Sequence, residues 1–249
     1  MSGHSKWATI KRKKAATDAA RGKTFTKAIK EITIAARSAG GDPDQNPRLR
    51  TAIAAAKAVN MPAANIDRAV KKGTGEIEGA VIEEAQYEGY APGGVALLIE
   101  VATDNRNRTS GDVRNLLGRY GGAMAEVGAV SYLFKPRGLI VVDKAAVAED
   151  ALMEIALDAG ADDVLTEGDA YEVLTPSAQL EPVKDALEAK QVPVQSAEHT
   201  KLATLSVPID ESRAKSLFRL IEALEDHDDV QRVYANYSVS DELLAKLAL

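Results

Sequence analysis

The chain has 249 residues, enough for one large domain or two to three small ones, and it contains no cysteine, which excludes disulfides, thiolate nucleophiles and cysteine-based metal sites together. Its net charge of −6 conceals a division: residues 1–75 hold sixteen Lys or Arg against five Asp or Glu, a balance of +11, so the remainder sums to −17. Basic charge gathered at one end is placed to meet phosphates there and to stay off them elsewhere, so an acidic whole does not exclude a polyanion partner.

The opening MSGHSKWATIKRKKAA has no apolar run of the signal-peptide kind, and VALLIEVA and GLIVVD fall far short of a membrane span. A soluble, cytoplasmic protein with no membrane partner is the expectation. Trp7 has two readings, stacking on a base or packing against the elements that follow.

After this basic arm, RGKTFTKAIKEITIAARSAGG places Phe25, Ile29, Ile32 and Ala36 on one helical stripe, with Lys23, Lys27, Lys30 and Arg37 roughly opposite and Gly40 and Gly41 as the stop. In NPRLRTAIAAAKAVN, Asn46 can cap and Pro47 can take the first turn, while Leu49, Ile53, Ala56 and Val59 supply the buried face. A third helix begins near Pro62, buries Ile66, Ala69 and Val70, and ends on Lys71, Lys72 and Gly73. Residues 1–75 thus read as a basic arm and a three-helix bundle.

GTGEIEGA, Gly73 to Ala80, has the composition of a linker, and the periodicity changes after it. YEGYAPGGVALLIEV reads as a hairpin turning at Pro92 and Gly93, with Val95, Leu97, Ile99 and Val101 on one face. The polar segment TDNRNRT then leads into the helix TSGDVRNLLGRYGG, where Thr109 with Asp112 fits a capping box, and AVSYLF, Ala129 to Phe134, reads as a further strand.

From GLIVVD to about Thr200 a second β-α-β-α-β order appears, and residues 138–200 carry fourteen acids against three lysines. The strand TLSVPID, the helix RAKSLFRLIEALED and the strand VQRVYANYSV close the chain. The expected fold is α+β and multidomain: the helical bundle, then two sandwich-like, ferredoxin-like α/β domains, with acidic residues 138–200 inserted into a domain formed by 80–137 and 201–249.

Catalytic signals are weak. His4, His199 and His227 lack metal-ligand spacing, no GxSxG elbow occurs, and Glu83 and Glu84 would face opposite sides of a strand. Gly22-Lys23-Thr24 is not a P-loop, because Thr17 stands where the earlier glycine is required. No catalytic residue, cofactor or metal is therefore expected. DHDD, Asp226 to Asp229, reads either as a divalent-cation site or as a solvated helix end. TDNRNRT also has two readings. Asp104 and Asn105 can make the turn and Thr109 can cap the helix while Arg106 and Arg108 pair with acids or face water; alternatively, the two guanidinium forks beside a helix N-terminus can hold an anion.

The amount of uncompensated charge in KRKK at Lys11 to Lys14, with Lys23, Lys27, Lys30, Arg48, Arg50 and Lys57, favours a polyanion partner over a merely solvated face. Four long segments, GHSKWATIKRKKAATDAARGKTFTKAIKEI, IDRAVKKG, YEGYAPGGVALLIEVATDNRNRT and GGAMAEVGAVSYLF, resemble in order the signature segments of the YebC/PmpR family. That resemblance implies a helical bundle and two α/β domains, the third inserted in the second. It implies a non-enzymatic nucleic-acid-binding regulator, a DNA-binding transcriptional regulator first, with a ribosome-associated translation factor that binds rRNA and aids proline-rich synthesis as the alternative. A ligand-sensing module is a third hypothesis, and it lacks a pocket motif. Carried onto this sequence, phosphate contact falls on Lys6, Lys11, Arg12, Lys13, Lys14, Lys23, Lys27 and Lys30, with Arg106 and Arg108 as a second grip.

Overall fold

The computed structural model describes residues 18–166, 170–240 and 243. They divide into two compact units, one running to Ser131 and resuming at Val207, the other spanning Tyr132 to Ser206. The fold is α+β and multidomain, as the element order leads one to expect.

The first unit opens with three helices: α1 (Asp18–Ala39), α2 (Pro47–Ala58) and α3 (Ala63–Thr74). Ile32, Ala36, Leu49, Ala56, Ile66 and Ala69 close their shared core, and small side chains let the helices approach closely. Asn46 does more than cap α2: its Oδ1 accepts from the Leu49 amide at 3.0 Å while its amide donates to the Ala35 and Gly40 carbonyls at 2.8 Å each. Gly73 is not the stop of α3. It is buried inside the helix, where a Cβ would stand 2.5 Å from the Thr33 carbonyl oxygen, and the left-handed Gly75 (φ 83°) ends the helix instead.

The chain then builds a four-stranded antiparallel sheet in the order β3-β1-β2-β9, from β1 (Glu83–Ala91), β2 (Val95–Thr103), β3 (Ala123–Met124) and β9 (Val230–Ala235). Helices α4 (Arg106–Arg119) and α7 (Glu211–Glu225) cover one face, packing Val113, Leu117, Leu217, Phe218 and Ile221 on Val95, Leu97, Ile99 and Val101. Burial of these side chains, at about 1.5–3 kcal/mol each, is the main force holding the layer together. A short parallel pair, β8 (Val207–Pro208) with β10 (Tyr237–Ser238), completes the unit.

AVSYLF does not form the strand the sequence suggests. Ser131–Leu133 is a single 3-10 turn, and the segment before it is held by the buried Glu88 carboxylate, which accepts from the amides of Gly128, Val130 and Ser131 at 2.7, 2.6 and 2.9 Å. A loop whose amides are satisfied by a carboxylate has no need of a strand partner.

The second unit holds β4 (Phe134–Asp143), α5 (Glu149–Asp158), β5 (Asp163–Leu165), β6 (Ala170–Pro176), α6 (Leu180–Ala189) and β7 (Val194–Ala203). Its sheet runs β5-β6-β4-β7, antiparallel throughout, with α5 and α6 closing a core of Ile140, Val142, Leu152, Val173, Val183 and Leu187. The three-residue β5 is too short to carry a periodicity that sequence reading could find. No helix among the described residues is long and apolar enough to cross a membrane.

Candidate nucleic-acid interface

The basic arm positions Lys6, Lys11, Arg12, Lys13 and Lys14 lie outside the described residues. The other candidate cations are described, and each meets an acid or a carbonyl of the chain itself.

On α1, Lys23 pairs with Asp226 at 3.1 Å, Lys27 Nζ donates to the Glu225 carbonyl at 2.7 Å, and Lys30 Nζ donates to Asp229 Oδ1 at 2.6 Å and to the carbonyls of Asp228 and Ala102 at 2.8 and 3.0 Å. Their spacing of three to four residues puts them on one helical stripe. That stripe faces the end of α7 and the turn leading to β9, where several carbonyls have no helical donor of their own. Lys23 keeps 42% of its side-chain surface exposed; Lys30 keeps 15%.

The anion that suits this cluster is the protein's own. Asp229 is 5% exposed and accepts from Lys30, from Arg108 Nη2 at 2.7 Å, and from the hydroxyls of Thr109 and Thr103 at 2.6 and 3.1 Å. Burial alone would raise its pKa, but the hydrogen bonds from Lys30, Thr109 and Arg108 outweigh it and hold the carboxyl well below the usual carboxylate range. Thr109 therefore serves as a buried donor inside α4 rather than as its cap. The cap is Asn105, whose Oδ1 accepts from the Arg108 amide at 3.1 Å, and the helix begins at Arg106, four residues earlier than the capping box suggests.

Arg108 also meets Asp104 at 2.9 Å, and these carboxylates raise its pKa. Arg106 is more open, 59% exposed, with Glu83 at 3.4 Å and the Glu84 carbonyl at 3.2 Å. Asp226 and Asp229 thus form the acidic half of an ion-pair cluster, while Asp228 gives Lys30 only its carbonyl and keeps its side chain exposed. Among the described residues no three acidic or histidine side chains converge as metal ligands. An open cleft of about 690 Å³ borders the cluster, lined in part by Lys23, Lys72, Asp104, Arg108 and His227.

Arg48 makes a second bridge that the sequence reading counted only as surface charge. It spans Glu31 of α1 at 2.8 Å and Glu84 of β1 at 2.6 Å, tying the bundle to the sheet. Such partners sit far apart in sequence, so no local spacing signals them.

Two family models match the chain. One, described as the TACO1/YebC protein N-terminal domain, covers residues 5–76, and the other, described as the TACO1/YebC second and third domain, covers residues 82–237. A probable transcriptional regulatory protein of Syntrophobacter fumaroxidans is 54% identical over the full length of both chains. One of Geobacter sulfurreducens is 55% identical over 99% of this chain and 100% of its own. A crystal structure of a conserved hypothetical protein from Aquifex aeolicus superposes with a TM-score of 0.83 at 47% identity, covering 91% of this chain and 94% of that one.

Proposed function

The chain belongs to the TACO1/YebC family, and on that premise we propose that it is a nucleic-acid-binding regulatory protein of transcription whose partner is duplex DNA. The observation that carries this reading is the segregation of charge, +11 in residues 1–75 against −17 in the rest. A polyanion binds such a chain by one end, releasing counterions there, while the acidic segment 138–200 is repelled. The names of the relatives, probable transcriptional regulatory proteins, support the regulatory part.

Phosphate contact in this reading centres on Lys6, Lys11, Arg12, Lys13 and Lys14, joined by Lys23 and Arg106, whose pairs are exposed enough to exchange an acid for a phosphate. Lys30 and Arg108 contribute to the fold through Asp229 instead. Lysines that grip phosphates without reading base edges give affinity without sequence preference. That property favours a second reading, a ribosome-associated translation factor held on rRNA.

The test is the quadruple variant Lys11→Gln, Arg12→Gln, Lys13→Gln, Lys14→Gln in the full chain, titrated against a DNA duplex at several salt concentrations. Five arm contacts correspond to a slope of log K against log salt of about −4.5 on a duplex, and the variant should lose about 3.6 units of it. Unaltered salt dependence would remove the arm from the interface. Sedimentation with ribosomes in a lysate, abolished by RNase, would favour the rRNA reading over DNA.

A further inference from the structure

Helices α4 and α7 pack side by side over the first sheet, and their outward faces carry exposed arginines, as α2 and α3 carry the exposed Lys57, Arg68 and Lys72. Arg114, Arg119 and Arg219 are exposed, and their guanidinium groups make no ion pair or hydrogen bond among the described residues. The exposed acids of the same helices do not balance them: Asp112 faces His227 at 3.3 Å and Glu211 pairs with Lys215 at 2.8 Å, which leaves Glu222 alone.

The helices run in opposite directions, since α4 starts, and α7 ends, beside the Asp229 cluster. Arg114 and Arg219 each lie about two turns from that shared end, and Arg119 lies about 7.5 Å further along α4. Five residues also turn the helix by about 140°, so Arg114 and Arg119 flank the outward side of α4.

Between the arginines the surface is low. Gly111 and Gly118 share the outward side of α4 with Asn107 and Asn115, and a Cβ added at either glycine would meet nothing within 4 Å. No internal contact calls for glycine there, although glycine weakens a helix interior. A backbone approaching from outside does call for it.

We propose that this face is a second contact surface for the phosphate backbone of duplex DNA, with Arg114, Arg119 and Arg219 as the phosphate contacts and Gly111 and Gly118 at the closest approach. The proposal rests on the nucleic-acid reading above and adds a surface which that reading does not contain. Charge selects a polyanion. Neither helix exposes an aromatic side chain of the kind on which single strands stack, Phe218 being 5% exposed, so a regular duplex fits better than an unpaired strand.

The experiment uses the full chain and a DNA duplex, with a duplex RNA of the same sequence in parallel. In Arg114→Gln, Arg119→Gln, Arg219→Gln the DNA salt slope should flatten by about 2.7 units, because three contacts of 0.9 each are lost, and the unfolding temperature should not move. Gly111→Gln should weaken DNA binding several-fold without lowering the unfolding temperature, a result that a purely structural glycine would not give. If the wild type binds DNA with a steep salt slope and the triple variant keeps that slope, the face is overturned while the arm stands. If the wild type shows no salt-dependent binding, the nucleic-acid reading itself falls. A loss confined to the RNA duplex overturns DNA as the occupant.

Discussion

Two populations of cations in the first unit share a formal charge and little else. Lys23, Lys27, Lys30 and Arg108 converge on the end of α7 and the acids of the turn after it, where Asp229 is almost wholly enclosed. Arg114, Arg119 and Arg219 stand on the outer faces of α4 and α7 with no partner among the described residues. A charge count treats both populations alike. The difference teaches that a cation is available to a partner according to where the chain's own acids lie in space, and the −17 of the later residues includes acids that neutralise lysines nearly two hundred positions earlier.

The largest effect that could break this comparison lies at Asp229. Asp229→Ala leaves Lys30 enclosed without its carboxylate and strips the Thr103 and Thr109 hydroxyls of their acceptor. Breaking such a buried pair should cost about 3–5 kcal/mol, measured as the shift in urea unfolding at neutral pH. Arg108→Ala, which removes a partner that is 49% exposed, should cost far less. An equally small cost for Asp229→Ala would mean that the lysine stripe is only resting on α7 and remains free for phosphates.

The pH dependence sharpens the same point at a smaller amplitude. Asp229 and Glu88 both titrate below their ordinary values when folded: burial opposes this in each, and the hydrogen bonds from Lys30, Thr109 and Arg108 to one, and from the Val130, Gly128 and Ser131 amides to the other, prevail. A carboxyl depressed in the folded state binds fewer protons there than in the unfolded chain. It therefore contributes stability that is fully present above the unfolded pKa, near 4, and is lost as pH falls below it. The urea midpoint should be flat from about pH 7 to 5 and should decline from about pH 5 towards 2. Asp229→Asn should make that decline shallower. An equal decline in both would assign the acid sensitivity to other groups.

The helices and the hairpin were legible because their apolar residues repeat with the right period: Ile32 and Ala36, Leu49 and Ala56, and Val95, Leu97, Ile99 and Val101 are all buried. Boundaries were less legible. TDNRNRT reads as a turn at Asp104 and Asn105 with Thr109 as the cap, yet Asn105 caps the helix because Thr109 is drawn to a carboxylate 120 residues away. Gly73 reads as a helix stop by composition, yet it is fixed by the close approach of α1 and α3. Asp226 to Asp229 could not be read at all from local pattern, since the lysines that define their role lie on α1. Periodicity reports which face is buried; it does not report which side chain from elsewhere arrives there.

The smallest expected effect bears on the other population. Gly111 sits inside α4 with open space where a Cβ would stand, and its φ is not in the left-handed region, so alanine fits without strain. Gly111→Ala should stabilise the protein by about 0.5–1 kcal/mol through reduced backbone entropy of the unfolded chain and better helix propensity, seen as a small rise in unfolding temperature. Replacing Arg114 by Ala should stay within about 0.5 kcal/mol, as for a surface residue without partners. Together these outcomes would show a helix face that holds less stability than its backbone permits, beside cations that add none, in the same unit where enclosed cations hold elements together. A loss of stability in Gly111→Ala would instead mean that an unseen contact fixes glycine there, and the contrast between the two populations would narrow to charge pairing alone.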